Sequence, residues 1–400
     1  MDPITHGIAG SLLGKGLFTE REGRVATFAA TLGAVFPDVD IFAELASRDP
    51  LSIIKLHRGF THSFVGLPIF AVALAWLTRW YCARRNWKAP SFGMLTLIYG
   101  VGIASHLLLD ATTSFGTRLW NPFSTDRVAW DMLFIIDFSF TAIVLLPQVA
   151  AWVFRDRGKA RGRAALMWLV FSACGAGVWA ICGAFGFPFH FWVLGIVSGI
   201  LAVIFLLPLA GGFGFEITQA RWCQLGLFVA AVYIAASGVA HHDALERVKA
   251  FVAENHLEDV RLGAIPIPPS ILDWSGKIRT SDGVYQARFD LRDAAPPTFQ
   301  FLADSPHDQY IAEAMNLPDV RTYLWFARFP VIHSHQEGED HIVEFGDSRF
   351  SDQARRMPSP FRFRLVFDTS GKLLEEDWAE GASGLRMRRI MEKNAGPAAQ

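Results

Sequence analysis

Long apolar runs fill roughly the first 242 residues of the chain and then stop. Six of them approach or reach the ~20 residues that carry a helix across a bilayer: about 64–80, 93–110, 132–154, 165–184, 190–211 and 223–240. Two shorter runs, 4–18 and 25–36, come first. At ~1.5 Å per residue neither spans comfortably, so the pattern predicts a tilted or half-inserted helical hairpin with its tip at 15–24. From about 243 the pattern changes. An amphipathic helix is expected over 243–255, then short alternating runs at 278–280, 285–291, 298–301, 321–329, 341–345 and 361–367. Turn signals such as Asp282-Gly283 and Ser370-Gly371 separate some of these runs. The expected fold is mainly α. A polytopic membrane helical bundle, about six spanning helices plus the N-terminal hairpin, occupies 1–242, and a soluble α+β domain with a mainly antiparallel sheet occupies 243–400.

Composition sharpens this reading. The 400 residues are 52% hydrophobic and 19% charged, with mean hydropathy +0.27, a shift toward lipid that disfavours an ordinary cytosolic enzyme. The 34 Phe and 13 Trp exclude a disordered chain. Lys+Arg is 37 against 38 for Asp+Glu, so there is no basic excess and no nucleic-acid partner is expected. Cys82, Cys174, Cys182 and Cys223 lie in or beside apolar segments with no CxxC; free thiols are expected, with neither a disulfide framework nor a Cys-based zinc site. The start, Met1-Asp2-Pro3, is acidic and does not read as a cleavable signal peptide.

Basic residues in short loops give an orientation. Arg79, Arg84, Arg85 and Lys88 follow one segment, and Arg155, Arg157, Lys159, Arg161 and Arg163 follow another an even number of crossings away. With Lys15, Arg21 and Arg24 at the hairpin tip, all three groups are expected to be cytoplasmic. The loops 38–63, 111–131 and 185–189 and the domain after His242 then fall outside, in the periplasm or at the cell surface of a bacterium.

At the outer ends of the predicted helices stand polar residues that are costly near membrane depth: His6, Asp38, Asp40, His57, His62, His106, Asp110 and Asp137. His106 and Asp110, four apart, share a helix face. Asp38-Val39-Asp40 sets two hard oxygen ligands close together, and a loop around Gly59 can present His57 and His62, with Ser63 capping a helix from Phe64. Taken singly, each has an ordinary reading as a turn, an interfacial anchor or a local hydrogen bond. Together they have the composition of a His/carboxylate centre holding two or more divalent ions. The expected ligands are His6, Asp38, His57, His62, His106 and Asp110. Zinc is the first choice of metal, with manganese or iron as alternatives. Asp40 would orient or deprotonate a water, Arg58 would neutralise a phosphate, and Thr61, Asp137 and Arg118 would support the site. In the loop 112–130, Arg118 and Trp120 would line the mouth, and aromatics there serve otherwise as interfacial anchors.

The blocks Met1–His6, Phe36-Pro37-Asp38-Val39-Asp40, His57–Ser63, Ser105–Asp110, Phe115-Gly116-Thr117, Asn121-Pro122-Phe123-Ser124 and Asp131–Asp137 resemble those of the YdjM-type family of bacterial inner-membrane metal-dependent hydrolases, whose name also records regulation by the LexA repressor. The resemblance covers residues 1 to about 150. It departs at Phe138, where the family pattern has Pro. A weaker likeness, through His6, Asp38, His62, His106 and Asp110, is to zinc-dependent phospholipase C and S1/P1-type nucleases, without their later His and Glu ligands. The resemblance implies a multi-pass inner-membrane hydrolase. A metal-activated water would attack a phosphoester or other ester of a membrane lipid or lipid-linked substrate at the outer face. The competing readings are a metal-ion or solute transporter and a non-catalytic envelope scaffold with a structural metal. The C-terminal domain carries no nucleophile elbow, P-loop or GxGxxG. His333, His335 and His341 among Glu337, Glu339 and Asp340 read as a solvated acidic loop. This domain would shape substrate access or bind a periplasmic partner. His190, His241 and His242 read as interfacial residues.

Overall fold

A computed structural model describes residues 1–47, 49–184, 190–268, 271–350, 361–380 and 385–390. The expected loop 185–189 and the Cys182 side chain lie outside the described residues. The helices are α1 (Pro3–Leu13), α2 (Thr19–Glu22), α3 (Arg24–Val35), α4 (Ile41–Ala46), α5 (Ser52–Leu56), α6 (Gly66–Arg84), α7 (Phe92–Ala111), α8 (Phe138–Val153), α9 (Ala160–Ala184), α10 (Trp192–Phe205), α11 (Leu207–Ala210) and α12 (Gln219–Glu254), with α13 (Gln309–Asn316) and α14 (Pro318–Phe326) among the strands. Two compact units result: Met1–Pro37, Phe64–Leu109 and Ile136–Ala235 form the first, and Asp38–Ser63, Asp110–Ile135 and Ala236–Gln400 the second. The second therefore gathers segments from both sides of residue 242.

Among the described residues six helices are long and apolar enough to cross a membrane: Arg24–Ala46, Gly66–Arg84, Phe92–Ala111, Ala160–Ile181, Trp192–Ala210 and Gln219–Glu254. The number matches the expectation, but one member differs. The run 132–154 yields only the 16-residue α8, because the residues before it are spent otherwise. Trp130, Met132 and Leu133 donate backbone N–H groups to the carbonyls of Ala111 and Thr112, and Asp137 then starts the helix by accepting from Phe140 N at 2.8 Å. With that cap in place, Phe138, where the resemblance implies Pro, occupies the first helical position. In its stead Arg24–Ala46 reaches spanning length, since α3 continues through a 3-10 turn at Phe36–Asp40 into α4.

The N-terminal hairpin forms, with the chain reversing at Gly23 (φ +76°). Its helices touch through small residues. A Cβ on Gly10 would lie 2.5 Å from Ala34 Cβ, and one on Gly14 2.7 Å from Thr27 Cα. α7 joins at the same closeness, for a Cβ on Gly102 would lie 2.6 Å from the Ala30 carbonyl. Where lipid surrounds a bundle, such packing replaces the hydrophobic drive.

In the second unit the C-terminal region builds two antiparallel sheets where the sequence suggested one. Strands β1 (Arg261–Pro266), β2 (Asp273–Arg279), β3 (Gly283–Asp290) and β4 (Gln300–Ala303) follow one another in order, as do β5 (Pro330–Glu337), β6 (Asp340–Asp347), β7 (Arg362–Phe367), β8 (Leu373–Glu380) and β9 (Leu385–Ile390). The expected strand 321–329 is instead mostly α14. Pro318 sits in its first turn, where a missing N–H costs nothing, and its apolar face (Val320, Tyr323, Phe326) enters an aromatic core with Phe345, Phe363 and Trp378. Leu51, Ile54 and Phe115 belong to that same core. The acidic stretch around Glu337–Asp340 is the tip of the β5–β6 hairpin, turned at Gly338, and His341 stacks on Tyr310 at 3.8 Å.

Candidate metal centre

In the first unit the glycine-mediated approach of α1, α3 and α7 seats two histidines. The His6 ring lies on the His106 ring, centroids 3.7 Å apart, and both are fully buried. His106 Nδ1 donates to the Ala34 carbonyl at 2.7 Å. A carbonyl only accepts, so the proton sits on Nδ1 and Nε2 is the nitrogen suited to a metal. α7 continues one turn to Asp110, also buried.

The second unit collects the remaining candidates. The 3-10 turn Phe36–Asp40 ends in Asp38 and Asp40, α5 leads into His57, and a 3-10 turn Phe60–His62 delivers His62. His62 Nε2 lies 3.4 Å from Asp38 Oδ1 and 3.4 Å from Asp110 Oδ2. Ligands about 2.0–2.1 Å from a tetrahedral ion are about 3.3 Å from one another, so each of these two pairs has the separation of two ligands on one ion. Asp38, Asp40 and His57 likewise offer donor atoms within 4.8 Å of one another.

Asp40 organises the loop. Its Oδ1 accepts from His57 Nδ1 at 3.0 Å; its Oδ2 accepts from Arg58 N at 3.0 Å and Thr61 Oγ1 at 3.2 Å and lies 3.2 Å from His62 Nδ1. A carboxylate on Nδ1 leaves Nε2 of His62 facing Asp38 and Asp110, the usual support for a ligating histidine. His57 Nδ1 also faces Glu44 at 3.2 Å. Burial disfavours its cation, yet hydrogen bonds to Asp40 and Glu44 prevail and lift its pKa to about 9.

Arg58 adopts a left-handed backbone (φ +57°) and is buried. Its Nη2 pairs with Asp110 Oδ1 at 2.9 Å, and its Nη1 donates to Thr113 Oγ1 at 2.9 Å. The guanidinium is thus engaged by one of the candidate ligands. Gly59 has φ −91° and ψ −128°. A Cβ there would lie 2.6 Å from Arg118 Nη2 and 2.8 Å from the Leu56 carbonyl. Ser63 does not cap a helix at Phe64, as α6 starts at Gly66; its Oγ instead donates to Phe60 O and closes the turn.

Arg118 holds the loop by its backbone, donating to the Lys55 carbonyl at 2.7 Å and the Leu56 carbonyl at 3.2 Å, while Trp120 is exposed. Arg127 donates to the Ile54 and Gly116 carbonyls at 2.6 and 3.1 Å and lies over Phe115, Trp325 and Phe326. Arg349 ties the same region to the sheet domain, reaching Asp347, the Ser114 carbonyl and the Phe326 carbonyl. Asp137, in the first unit, is taken up as the α8 cap and by Tyr233 Oη at 2.9 Å. Glu44, Thr113 and Arg127 escaped the sequence reading. Of these only Glu44 carries a signal, four residues after Asp40 on a helical spacing.

Residues 1–184 match the model of the YdjM inner membrane protein family, in agreement with the resemblance seen in the motifs. With the six apolar helices, this makes the chain a multi-pass inner-membrane protein. It is similar to the uncharacterized protein YfhP of Bacillus subtilis (strain 168), 28% identical over 160 residues, which cover 38% of this chain and 46% of that protein. The chain thus spans about half the length of the curated relative it matches. No solved structure matches it, and the weaker likeness to phospholipase C and S1/P1-type nucleases gains no support.

Proposed function

We propose that this protein is an integral-membrane metal-dependent hydrolase acting on a phosphoester or ester of a lipid or lipid-linked substrate. The observation that carries it is His62, whose Nε2 lies 3.4 Å from both Asp38 Oδ1 and Asp110 Oδ2, each at the separation of two ligands on one ion, while its Nδ1 lies 3.2 Å from Asp40 Oδ2. Within the first unit, His106, with its Nδ1 on the Ala34 carbonyl, and His6, stacked on it, are two buried imidazoles proposed as further ligands. Within the second unit, Asp38, Asp40 and His57 offer a further set of donor atoms within 4.8 Å of one another, where a bound ion would have to displace the proton that His57 otherwise holds. A divalent ion held there supplies a Lewis acid and lowers the pKa of water. The chain's own part is to hold that set rigid, through Asp40 on the two imidazoles and Arg58 on Asp110. Arg58 thereby balances the carboxylate charge in a buried place. Exposed Ile41, Phe42, Leu45, Phe60, Trp120 and Phe123 lie on the segments that carry the second unit's candidate ligands. Such apolar and aromatic side chains suit the membrane interface, which favours a lipid-borne substrate over a soluble one.

Metal analysis of detergent-purified protein tests the reading. Wild type should hold at least one zinc, manganese or iron per chain, and His106→Ala should hold clearly less while inserting normally. Protein with no such metal, and no ester or phosphoester cleavage when metal is added, would sink it.

The C-terminal domain is proposed to be extracytoplasmic. A reporter fused after His242 should be active only outside, and one at Arg161 only in the cytoplasm. Activity of both on one side would remove the basis for a substrate approaching from the outer leaflet.

A further inference from the structure

Far along the chain from the candidate ligands, the first unit contains a basic cavity that the hydrolase reading does not use. The segment joining α8 to α9 carries Arg155, Arg157, Lys159, Arg161 and Arg163 against one carboxylate, Asp156. Around it opens a cavity of about 530 Å³, lined by Trp152, Arg155, Asp156, Arg157 and Arg163. That volume falls in the range of small-ligand sites. The apolar α8 and the bilayer-length α9 both end at this segment, which places it at headgroup level.

The cations are prearranged. The Arg163 guanidinium lies 4.4 Å from the Trp152 ring centroid and donates to the Trp152 carbonyl at 3.0 Å. The Arg157 guanidinium lies 4.5 Å from the Phe215 ring centroid, and that ring is itself set edge-on to Phe154. A guanidinium resting over a ring still carries N–H donors for a planar acceptor, and holding it beforehand lowers the ordering cost of binding. Arg155 is exposed at the rim. Asp156 accepts from Gly158 N at 3.0 Å and lies 3.9 Å from Lys159 Nζ, one carboxylate among five cations on the segment.

We infer that this cavity binds the phosphate group of an anionic ligand at the membrane surface, as the headgroup of an acidic phospholipid presents it. Arg84 and Arg85 of the other basic loop also lie over rings, Trp80 and Tyr81; what this segment adds is a cavity lined by Arg155, Arg157 and Arg163 together. Here the rings turn a diffuse charge into a shaped receptor of the kind that recognises acidic headgroups. The site is independent of the metal centre, and its loss should leave metal content unchanged.

The test uses the full chain in neutral detergent, titrated with short-chain phosphatidylglycerol, short-chain phosphatidylcholine and inorganic phosphate, with bound adducts counted by native mass spectrometry. Wild type should prefer phosphatidylglycerol over phosphatidylcholine by roughly tenfold or more, and Arg155→Gln/Arg163→Gln should lose about that preference. Arg79→Gln/Arg84→Gln, which removes equal charge from the other basic loop, should keep it. All three proteins should show the same melting temperature and metal content. Displacement of the lipid by inorganic phosphate would identify the phosphate itself as the ligand; resistance to displacement would identify the whole acidic headgroup. Equal losses in the two double variants would reduce the effect to net charge and overturn the site, as would retained preference in Arg155→Gln/Arg163→Gln.

Discussion

Asp110→Ala is expected to lose bound metal and to destabilise the protein by about 3–5 kcal/mol, the cost of leaving a buried charge unpaired. Two functions meet in this carboxylate. Its Oδ2 faces His62 Nε2 at 3.4 Å, and its Oδ1 holds the Arg58 guanidinium at 2.9 Å, with the two side chains only 1% and 2% exposed. Removing the carboxylate leaves Arg58 charged, desolvated and without its counter-ion. The double variant Asp110→Ala/Arg58→Met separates the two roles. With both charges gone, most of the stability should return, since an apolar replacement of a buried pair is often neutral, whereas metal should stay lost. Thermal melts in detergent together with metal content give the cycle. If Asp110→Ala alone keeps full metal and an unchanged melting temperature, the shared-ion geometry is wrong. A double variant that binds metal like wild type would show that Asp110 is only the partner of Arg58.

Asp40→Asn is expected to weaken metal binding by about 10–100-fold, the usual effect of losing the carboxylate behind a ligating histidine. The sequence suggested that Asp40 handles a water. In the structure its two oxygens face His57 Nδ1, Arg58 N, Thr61 Oγ1 and His62 Nδ1. An amide keeps one acceptor oxygen but offers a second donor where donors already converge, so His62 loses its fixed tautomer. Asp40→Ala should be worse, since it leaves buried donors without an acceptor at about 1–3 kcal/mol each. Chelator competition with purified protein reads the affinity, and circular dichroism shows whether the helices persist. A variant that binds metal normally yet fails to turn over would restore the water-handling role.

Much of the molecule was legible without coordinates. Apolar run length announced the spanning helices, because lipid forces a helix to satisfy its own backbone and so ties length to thickness. The run 132–154 misled, as hydropathy cannot see that Trp130, Met132 and Leu133 are hydrogen-bonded to the end of α7. The C-terminal strands were harder. Periodicity in 321–329 fits a strand or a short helix, and Pro318 with the aromatic core decided for the helix.

The sequence by itself determined which residue types stand at the helix ends. His and Asp in apolar surroundings are too costly to be incidental, and the i, i+4 spacing of His106 and Asp110 follows from helix geometry alone. Only the tertiary structure decided which atoms meet. It set Asp38 and Asp110 at equal distances from His62, placed Asp40 behind the imidazoles, turned Arg58 onto Asp110, and packed Leu51, Ile54 and Phe115 into the core of the sheet domain. Those outcomes depend on contacts between segments far apart in the chain and on single backbone torsions, such as the positive φ of Arg58. A local pattern carries no record of either, because the energy that selects them comes from packing and charge pairing across the fold.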